Sequence, residues 1–527
     1  MKAAYINYDQ TQAFSKTVIS YLNGDDRLDP FINERADLNG FKNLLSKKKV
    51  LADRKILVEV LREQYNGKTT AFEKVSGNIK SLANNNTFTV TTGHQLNIFT
   101  GPLFFLFKIV HAINLAKQLS AEFPDKNFVP VYWMATEDHD FAEINHTNLH
   151  GKKISWDYDA AGPTGKISTE TISETVRQYA GILGISENAL KLSEIVKAAY
   201  AQSTLAYATR YLVNELFGQY GLVIIDADDV RFKKQFSSII KKDILEQNSF
   251  REINEGSEKL HKAGFESQVH AREINFFYVK ENFRERLVFE NQKYFVLNSD
   301  LSFSPGELEA EIDGHPERFS PNVMMRPLYQ EVILPNLAYI GGGAELVYWL
   351  QLKQNFDFYE VDFPILFLRN SALIADESTE AKLKRLNLNF IDLFGDIDKL
   401  KADWVKQNSN HSLNLVDEWQ ELRCIFEKIK LRAYKIDSTL APSTEAVRER
   451  LHHNIQNLEK KLVKAEKRNY STALSQIDAI KEKLFPNGVL QERVENFGSL
   501  YVKYGDDLIG GLIKNLHPLD FKFTILY

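Results

Sequence analysis

The apolar positions along the chain change period several times, and each change marks a change of element. Between Phe14 and about Leu82 they recur at helical spacing, as at Ile56, Leu57, Val60 and Leu61, with breaks at Asn39-Gly40 and Asn66-Gly67, which predicts an N-terminal helical segment. The pattern then becomes short β-rich runs followed by helices: Phe88-Thr89-Val90-Thr91, a helix from about Gly101 to Leu119, and an almost wholly apolar run from Phe128 to Met134. A continuous apolar run fits a strand covered on both faces, and strand, long crossover, strand predicts parallel pairing. Gly221 to Asp226 and Phe363 to Leu368 are two further runs of this kind. These four strands predict the centre of a doubly wound α/β sheet.

Two long insertions, about 147–201 and 231–319, separate the strands. The second contains alternating strands near Phe276-Phe277-Tyr278-Val279 and Tyr294-Phe295-Val296-Leu297. Beyond Asp376 the chain turns helical and charged. Leu415, Trp419, Leu422, Phe426, Ile429, Ala433 and Ile436 are spaced 4-3-4-3-4-3, a coiled-coil seam. After a turn at Ala441-Pro442-Ser443, Ser443 is expected to cap a second helix carrying Val447, Leu451, Leu458, Leu462, Ala465, Leu474, Ile477, Ile480 and Leu484. That helix, stopped by Pro486-Asn487-Gly488, would be about 65 Å long at 1.5 Å per residue. The expected organisation is a core at 1–375 with its helical N-terminal segment and insertions, an antiparallel helical arm at 376–485, and a segment at 486–527 that returns to the core. Phe521 to Tyr527 is apolar enough for a docked terminal strand.

Composition narrows the functional classes. The 65 Lys and Arg against 70 Asp and Glu leave a net charge of −5 over 527 residues, so no global field attracts nucleic acid or an anionic membrane. The single cysteine, Cys424, excludes an internal disulfide framework and multi-cysteine zinc sites and fits a reducing compartment. The most apolar stretch, Ile98 to Ala116, is interrupted by Thr100, Gly101, Pro102, Lys108 and His111, short of the roughly 20 residues of a membrane span. The first ten residues lack a basic-then-apolar signal pattern. A soluble, cytoplasmic protein is expected.

Three constellations carry candidate chemistry. The first, Thr91 to Pro102, includes Gly93-His94 and Thr100-Gly101 between a strand and a helix. Ligands in open α/β sheets bind at the carboxyl ends of strands, and an exposed helix N-terminus offers N–H groups to phosphate or carboxylate. His94 is suited to a phosphate contact or proton transfer. The bland reading is a turn and cap with Pro102 in the first helical turn. The second, Ala135 to His146, gathers Glu137, Asp138, His139, Asp140 and Glu143 just after a buried strand, with Asn145 near its end. His139 oriented by a carboxylate suits acid–base work. Asp138, His139 and His146 are chemically able to ligate a metal, though none is assigned; a charged loop is the alternative. The third runs from Ser320 through Arg326, then from Leu334 through Tyr339, Gly341-Gly342-Gly343 and Glu345, another glycine-rich helix start. Arg326 suits a carboxylate and Glu345 an amine, against a packed turn as the alternative. Arg369-Asn370-Ser371 closes the last strand with a further cation.

In this order, and followed by a helical arm, the constellations resemble the bacillithiol biosynthesis cysteine-adding enzymes. The resemblance is carried by Thr92-Gly93-His94-Gln95 with Phe99-Thr100-Gly101-Pro102, by Glu137-Asp138-His139-Asp140-Phe141 with Glu143-Ile144-Asn145-His146, and by Arg326-Pro327-Leu328-Tyr329-Gln330-Glu331 with Leu334-Pro335-Asn336. Tyr339 to Glu345, Leu368-Arg369-Asn370-Ser371 and Leu490-Gln491-Glu492-Arg493 with Asn496 extend it over nearly the whole chain. It implies a Rossmann-like core with connecting-peptide insertions and a coiled-coil arm that makes a homodimer. The implied reaction joins the carboxyl of cysteine to the amine of malyl-glucosamine, the last step to bacillithiol. The implied core is related in shape to class I aminoacyl-tRNA synthetases, yet Gly93 to Asn97 holds no intact His-x-Gly-His, and Arg369-Asn370-Ser371 stands where a Lys-Met-Ser-Lys-Ser motif would follow.

Amide formation from a free carboxylate is uphill in water, so ATP or another nucleotide is a candidate activator, with its phosphates expected at the helix start near Gly101. Within that reading His94, Asp138 and His139 are the candidate catalytic residues. Gly93, Thr100, Gly101, Asn145, Tyr339 and Gly342 would line the substrate, Asp226 or Glu345 would meet an ammonium, and Arg326 and Arg369 would meet carboxylates. A catalytically silent nucleotide-binding module whose arm recruits a partner is the competing reading.

Overall fold

Five strands running in one direction carry the core, and their carboxyl ends are in register. In the computed structural model, which describes every residue except Lys68 and Glu281, they are β1 (Thr87–His94), β2 (Asn127–Met134), β3 (Val223–Asp226), β4 (Asn336–Gly341) and β5 (Ile365–Leu368). The sheet order is β5-β4-β1-β2-β3, all parallel, which is the order of a Rossmann-like sheet. His94 pairs with Met134, Met134 with Asp226, and Gly341 with Leu368. The chain therefore reverses its direction of winding between β1 and β4, where such sheets bind ligands.

β4 stands beside β1 at the centre, although its sequence reads as a turn-rich segment. Pro335 before it and three glycines from Gly341 hide a short strand. It is fixed by a buried polar network. The hydroxyls of Thr89 and Thr91 donate to Asn336 Oδ1 at 3.0 and 2.8 Å, and Asn336 Nδ2 donates to Glu331 Oε1 at 2.7 Å. Lys48 Nζ lies 3.5 Å from Glu331. Fully paired polar groups specify one register where an apolar strand would tolerate several. One face of the sheet is closed by Phe41, Leu44, Ala112, Leu115 and Leu119 packed on Val90, Ile340 and Phe367.

Three helices position the site: α1 (Phe104–Glu122), α2 (Arg326–Ile333) and α3 (Gly343–Phe358). The second insertion forms an antiparallel sheet in which Phe276–Lys280 pairs with Phe283–Glu290, a strand the apolar pattern did not mark, and with Phe319–Pro321. The terminal strand Lys522–Leu526 pairs antiparallel with Ala3–Asn7.

The chain divides into two units, one of Met1–Asp9, Ala13–Leu373 and Val489–Leu526, the other of Gln10–Gln12, Ile374–Gly488 and Tyr527. In the second, α4 (Val416–Ile436) and α5 (Leu440–Glu466) run antiparallel: Trp419 stacks on His452 at 4.2 Å and Lys430 Nζ lies 3.1 Å from Glu445. Two expectations are corrected here. Ser443 is not a cap, because α5 starts at Leu440 and takes Pro442 into its first turn, where no N–H is required. Nor is there one 65 Å helix: α5 ends at Glu466 and α6 (Ser471–Leu484) follows. The N–H groups of Arg468 and Asn469 reach back only three residues, to Ala465 and Glu466, tightening the last turn until it closes. Among the described residues no helix is long and apolar enough to cross a membrane.

Candidate functional site

The switch point between β1 and β4 opens into a cavity of about 670 Å³ lined by residues of all three constellations. Gly93, His94, Asp138, His139, Arg326, Tyr339 and Glu345 all face it. Gly93 is closely approached: a Cβ there would stand 3.2 Å from Tyr339 Oη and 3.7 Å from Arg326 Nη1.

Glu345 is the hub of its deep end. Its carboxylate accepts from Tyr339 Oη at 2.7 Å and from the Gly342 N–H at 2.8 Å, and pairs with Lys108 Nζ at 2.5 Å. Lys108 also donates to Gly93 O at 2.8 Å. Burial pushes Glu345 up, but Lys108 and these donors outweigh it and hold it below the usual range. Glu345 thus stays ionised, and the glycine-rich start of α3 is capped by its own glutamate rather than left open to a ligand. Lys108 was visible in the sequence only as a break in an apolar helix. A buried lysine almost always has a partner, so that break was itself the signal.

Two buried nitrogens in the cavity wall lack a hydrogen bond among the described residues. His94 Nε2 and Arg326 Nη2 are buried without a hydrogen bond, while Arg326 Nη1 donates to Gln330 Oε1 at 3.1 Å. Arg326 lies 5.3 Å from the Tyr339 ring and 5.7 Å from that of Trp133. The His94 ring is packed against Phe104 and Phe105. Burial, then the charge of Lys108, pushes its pKa down to about 3. The imidazole is neutral near pH 7, a weak base and a competent N–H donor.

The opposite wall starts at the end of β2. Asp138 accepts from Gln95 Nε2 and from the His139 N–H, both at 2.8 Å. Burial raises its pKa, but hydrogen bonds from His139 and Gln95 and the charge of Arg284 hold it well below the usual range. His139 Nδ1 lies 2.8 Å from Arg284 Nη1. A guanidinium only donates, so Nδ1 accepts and the ring proton sits on Nε2. Arg284 comes from the second insertion and stacks over Phe277 at 3.8 Å. Glu137 is ion-paired with the buried Lys233.

Several expected site residues lie elsewhere. Thr100 and Gly101 are held in a clamp: Asn496 Nδ2 donates to Phe99 O at 2.8 Å and to Gly101 O at 2.7 Å, while Asn496 Oδ1 accepts from Tyr179 Oη at 2.7 Å. Phe99 and Thr100 both have positive φ, a backbone that must be held from outside. The N–H groups of Phe99, Thr100, Gly101 and Leu103 are taken by Tyr200 Oη and by the carbonyls of Asn97, Ile98 and Glu495. The start of α1 therefore offers no free N–H cradle for the expected phosphates. Arg369 is locked in a buried pair with Glu492 at 2.7 Å and bonded to Ser371 Oγ at 3.0 Å, so it does not face the cavity. Asn145 accepts at its carbonyl from the Trp156 N–H at 2.7 Å and bonds His146. Gly342 supplies its N–H to Glu345 rather than to the cavity. Asp226 lines a separate pocket of about 400 Å³ with Lys166, Asp228 and Arg231, and accepts from Thr136 Oγ1 at 2.5 Å. Among the described residues no group of three or more His, Cys, Asp or Glu is arranged to hold a metal, so Asp138, His139 and His146 do not converge.

The family description "Bacillithiol biosynthesis BshC, N-terminal Rossmann-like domain" matches residues 1–370, and "Bacillithiol biosynthesis BshC, C-terminal coiled-coil domain" matches 372–527. A protein of Flavobacterium psychrophilum named "Putative cysteine ligase BshC" is 44% identical over 526 residues, covering 99% of this chain and 98% of its own. One of the same name from Flavobacterium johnsoniae is 42% identical over 525 residues, 99% of each. Another, from Salinibacter ruber, is 30% identical over 474 residues, 88% of this chain and 86% of its own.

Proposed function

The chain belongs to the bacillithiol biosynthesis BshC family, and from that premise we propose that it is a ligase joining the carboxyl of cysteine to the amine of malyl-glucosamine in the cavity between β1 and β4. The observation that carries the reading is the pair of buried nitrogens, His94 Nε2 and Arg326 Nη2, that have no hydrogen bond among the described residues at the switch point of the sheet. Buried polar nitrogens left unpaired are expensive. They are supported here by the surrounding network and await an anionic oxygen.

Their chemistry assigns roles. Arg326 binds an anionic oxygen and supplies positive charge where negative charge develops as the amine attacks the carboxyl carbon. His94, neutral near pH 7, donates its N–H to an oxygen of the same group and orients it; at a pKa of about 3 it accepts a proton poorly. Glu345, ionised but already held by Lys108, Tyr339 and the Gly342 N–H, fixes the lysine and the phenol at the cavity wall rather than meeting an ammonium itself. His139 carries its free proton on Nε2 and, with Asp138, lines the side from which the second substrate enters.

A nucleotide remains the proposed activator, and the chemistry it supplies is conversion of the carboxylate oxygen into a leaving group. His94 and Arg326 fit its phosphate oxygens; the turn at Gly101 does not. Two copies of the chain are proposed to associate through the arm, where Ile425, Ile429 and Tyr434 on α4 and Val447 and Leu458 on α5 are exposed.

The test is turnover by purified protein given cysteine and malyl-glucosamine with and without ATP, followed by mass spectrometry. We expect an amide product only with ATP, and its loss in Arg326→Ala. Tight nucleotide binding by wild-type protein with no product would replace the ligase with the silent binding module.

A further inference from the structure

Every carboxylate that lines the cavity is already engaged. Glu137 is paired with Lys233, Asp138 is held by Gln95 and the His139 N–H, and Glu345 by Lys108, Tyr339 and the Gly342 N–H. Two of the lining cations are likewise engaged. Lys108 is paired with Glu345, and Arg284 is bonded to Ser320 Oγ, Pro321 O and His139. Two arginines of the second insertion, Arg272 and Arg286, line the same cavity, are exposed at its mouth, and have no ion-pair partner among the described residues. Arg286 feels Arg272 as a like charge.

Their backbones are fixed even though their side chains are not. Arg286 follows Arg284 by two residues, so the two share a face of their strand, and it pairs in register with Phe277. The Arg272 N–H donates to Asn275 Oδ1 at 3.1 Å; Asn275 is buried and accepts also from Asn322 Nδ2 at 2.9 Å. Two like charges on anchored backbone, at the mouth of a cavity whose acids are all satisfied, make a site complementary to an anionic group.

We infer that Arg272 and Arg286 form a second anion site, distinct from Arg326, that takes the carboxylates of the acceptor's malyl group and selects acceptors that carry them. This rests on the ligase reading for the identity of the acceptor, but the anion site itself does not. The cavity then has two charged ends: Arg326 and His94 at the switch point, where the bond forms, and the arginine pair at the mouth, where the acceptor is recognised.

The experiment compares full-length wild-type protein with R272A/R286A and with R272K/R286K. Malate and inorganic pyrophosphate serve as binding probes in titration calorimetry. Wild-type protein is expected to bind malate, and the double alanine variant to bind it about tenfold or more weakly, the scale of losing charge-assisted bonds to a carboxylate; the lysine variant should recover part of the loss, since charge but not the planar fork is kept. In turnover, KM for malyl-glucosamine should rise by about tenfold or more while kcat and the KM for cysteine stay within about twofold. Malate affinity unchanged in the alanine variant overturns the inference, as does pyrophosphate binding without malate binding, or a rise in KM confined to cysteine. Failure of the ligase reading shows separately, as wild-type protein that makes no product while the malate titration still reports the site.

Discussion

The core and the arm use charged side chains in opposite ways. In the core, Lys108–Glu345, Lys233–Glu137, Arg369–Glu492 and Lys48–Glu331 each hold at least one side chain almost entirely out of water. In the arm, Lys430–Glu445, Arg448–Glu427 and Lys401–Asp478 leave at least one partner substantially exposed. Apolar groups show the converse. The core buries most of its large apolar side chains, though Ile185 and Leu190 stay exposed, whereas α4 has no buried residue and exposes Ile425, Leu431, Tyr434 and Ile436. Charge in the core fixes geometry around a cavity; charge in the arm keeps two helices wetted, and its free apolar side chains are what a second copy would cover.

The contrast predicts its largest effect at Arg369–Glu492. Replacing Glu492 by Gln leaves Arg369 buried and uncompensated, which costs on the order of 3–5 kcal/mol. Denaturant unfolding should report that loss, and an unfolding midpoint equal to wild type would mean that the pair is not the lock described here. Next comes Arg326→Ala, which removes a guanidinium bonded through Nη1 to Gln330 and without a hydrogen bond at Nη2 among the described residues. Stability should change little, while turnover falls by about 10²–10³, the scale of losing one preorganised donor to developing charge. Equal losses in both measurements would make Arg326 a structural residue.

How far the sequence disclosed this molecule follows from the same division. His94, Asp138, His139 and Glu345 were legible because each sits just past an apolar strand or at the helix start that follows one, so strand pattern and chemistry pointed to one place. Thr100, Gly101 and Arg369 were misplaced for one reason: their partners, Asn496 and Glu492, arrive from the last forty residues of the chain, and no local spacing reveals that a helix start is already filled. Arg272, Arg284 and Arg286 were invisible as site residues because they come from an insertion folded back over a strand end far earlier in the chain, with Arg284 meeting His139 across 145 positions. β4 was hidden by the proline and glycines that border it, and its register is set by buried Thr–Asn–Glu bonds rather than by hydrophobicity.

Smaller, but particular to the core, is the response to acid. Burial pushes both His94 and His111 down to about 3, whereas in the unfolded chain they titrate near 6.5. The unfolded state therefore binds more protons between these values, so the stability these residues contribute is present above about pH 6.5 and is lost as pH falls. At pH 5 each should have lost about 2 kcal/mol. Unfolding of wild type and His111→Gln at pH 7 and pH 5 checks this: the variant should lose less stability between the two, and parallel losses would show that His111 is protonated in the folded core.

The smallest effects belong to the arm. Arg448→Ala removes a half-buried guanidinium shared among Glu427, Glu445 and Glu449, whose carboxylates keep substantial contact with water, where such pairs contribute little because water and salt already screen them. Its midpoint should match wild type. Ile425→Glu with Ile429→Glu should also leave the unfolding of the core unchanged, since both side chains are exposed within one chain. Sedimentation, however, should show the proposed dimer in wild type and a monomer in the variant. If that double variant remains dimeric, the exposed apolar residues of α4 are not the surface on which copies meet. If it instead unfolds the core, the arm is part of the core's stability and the division drawn between the two regions fails.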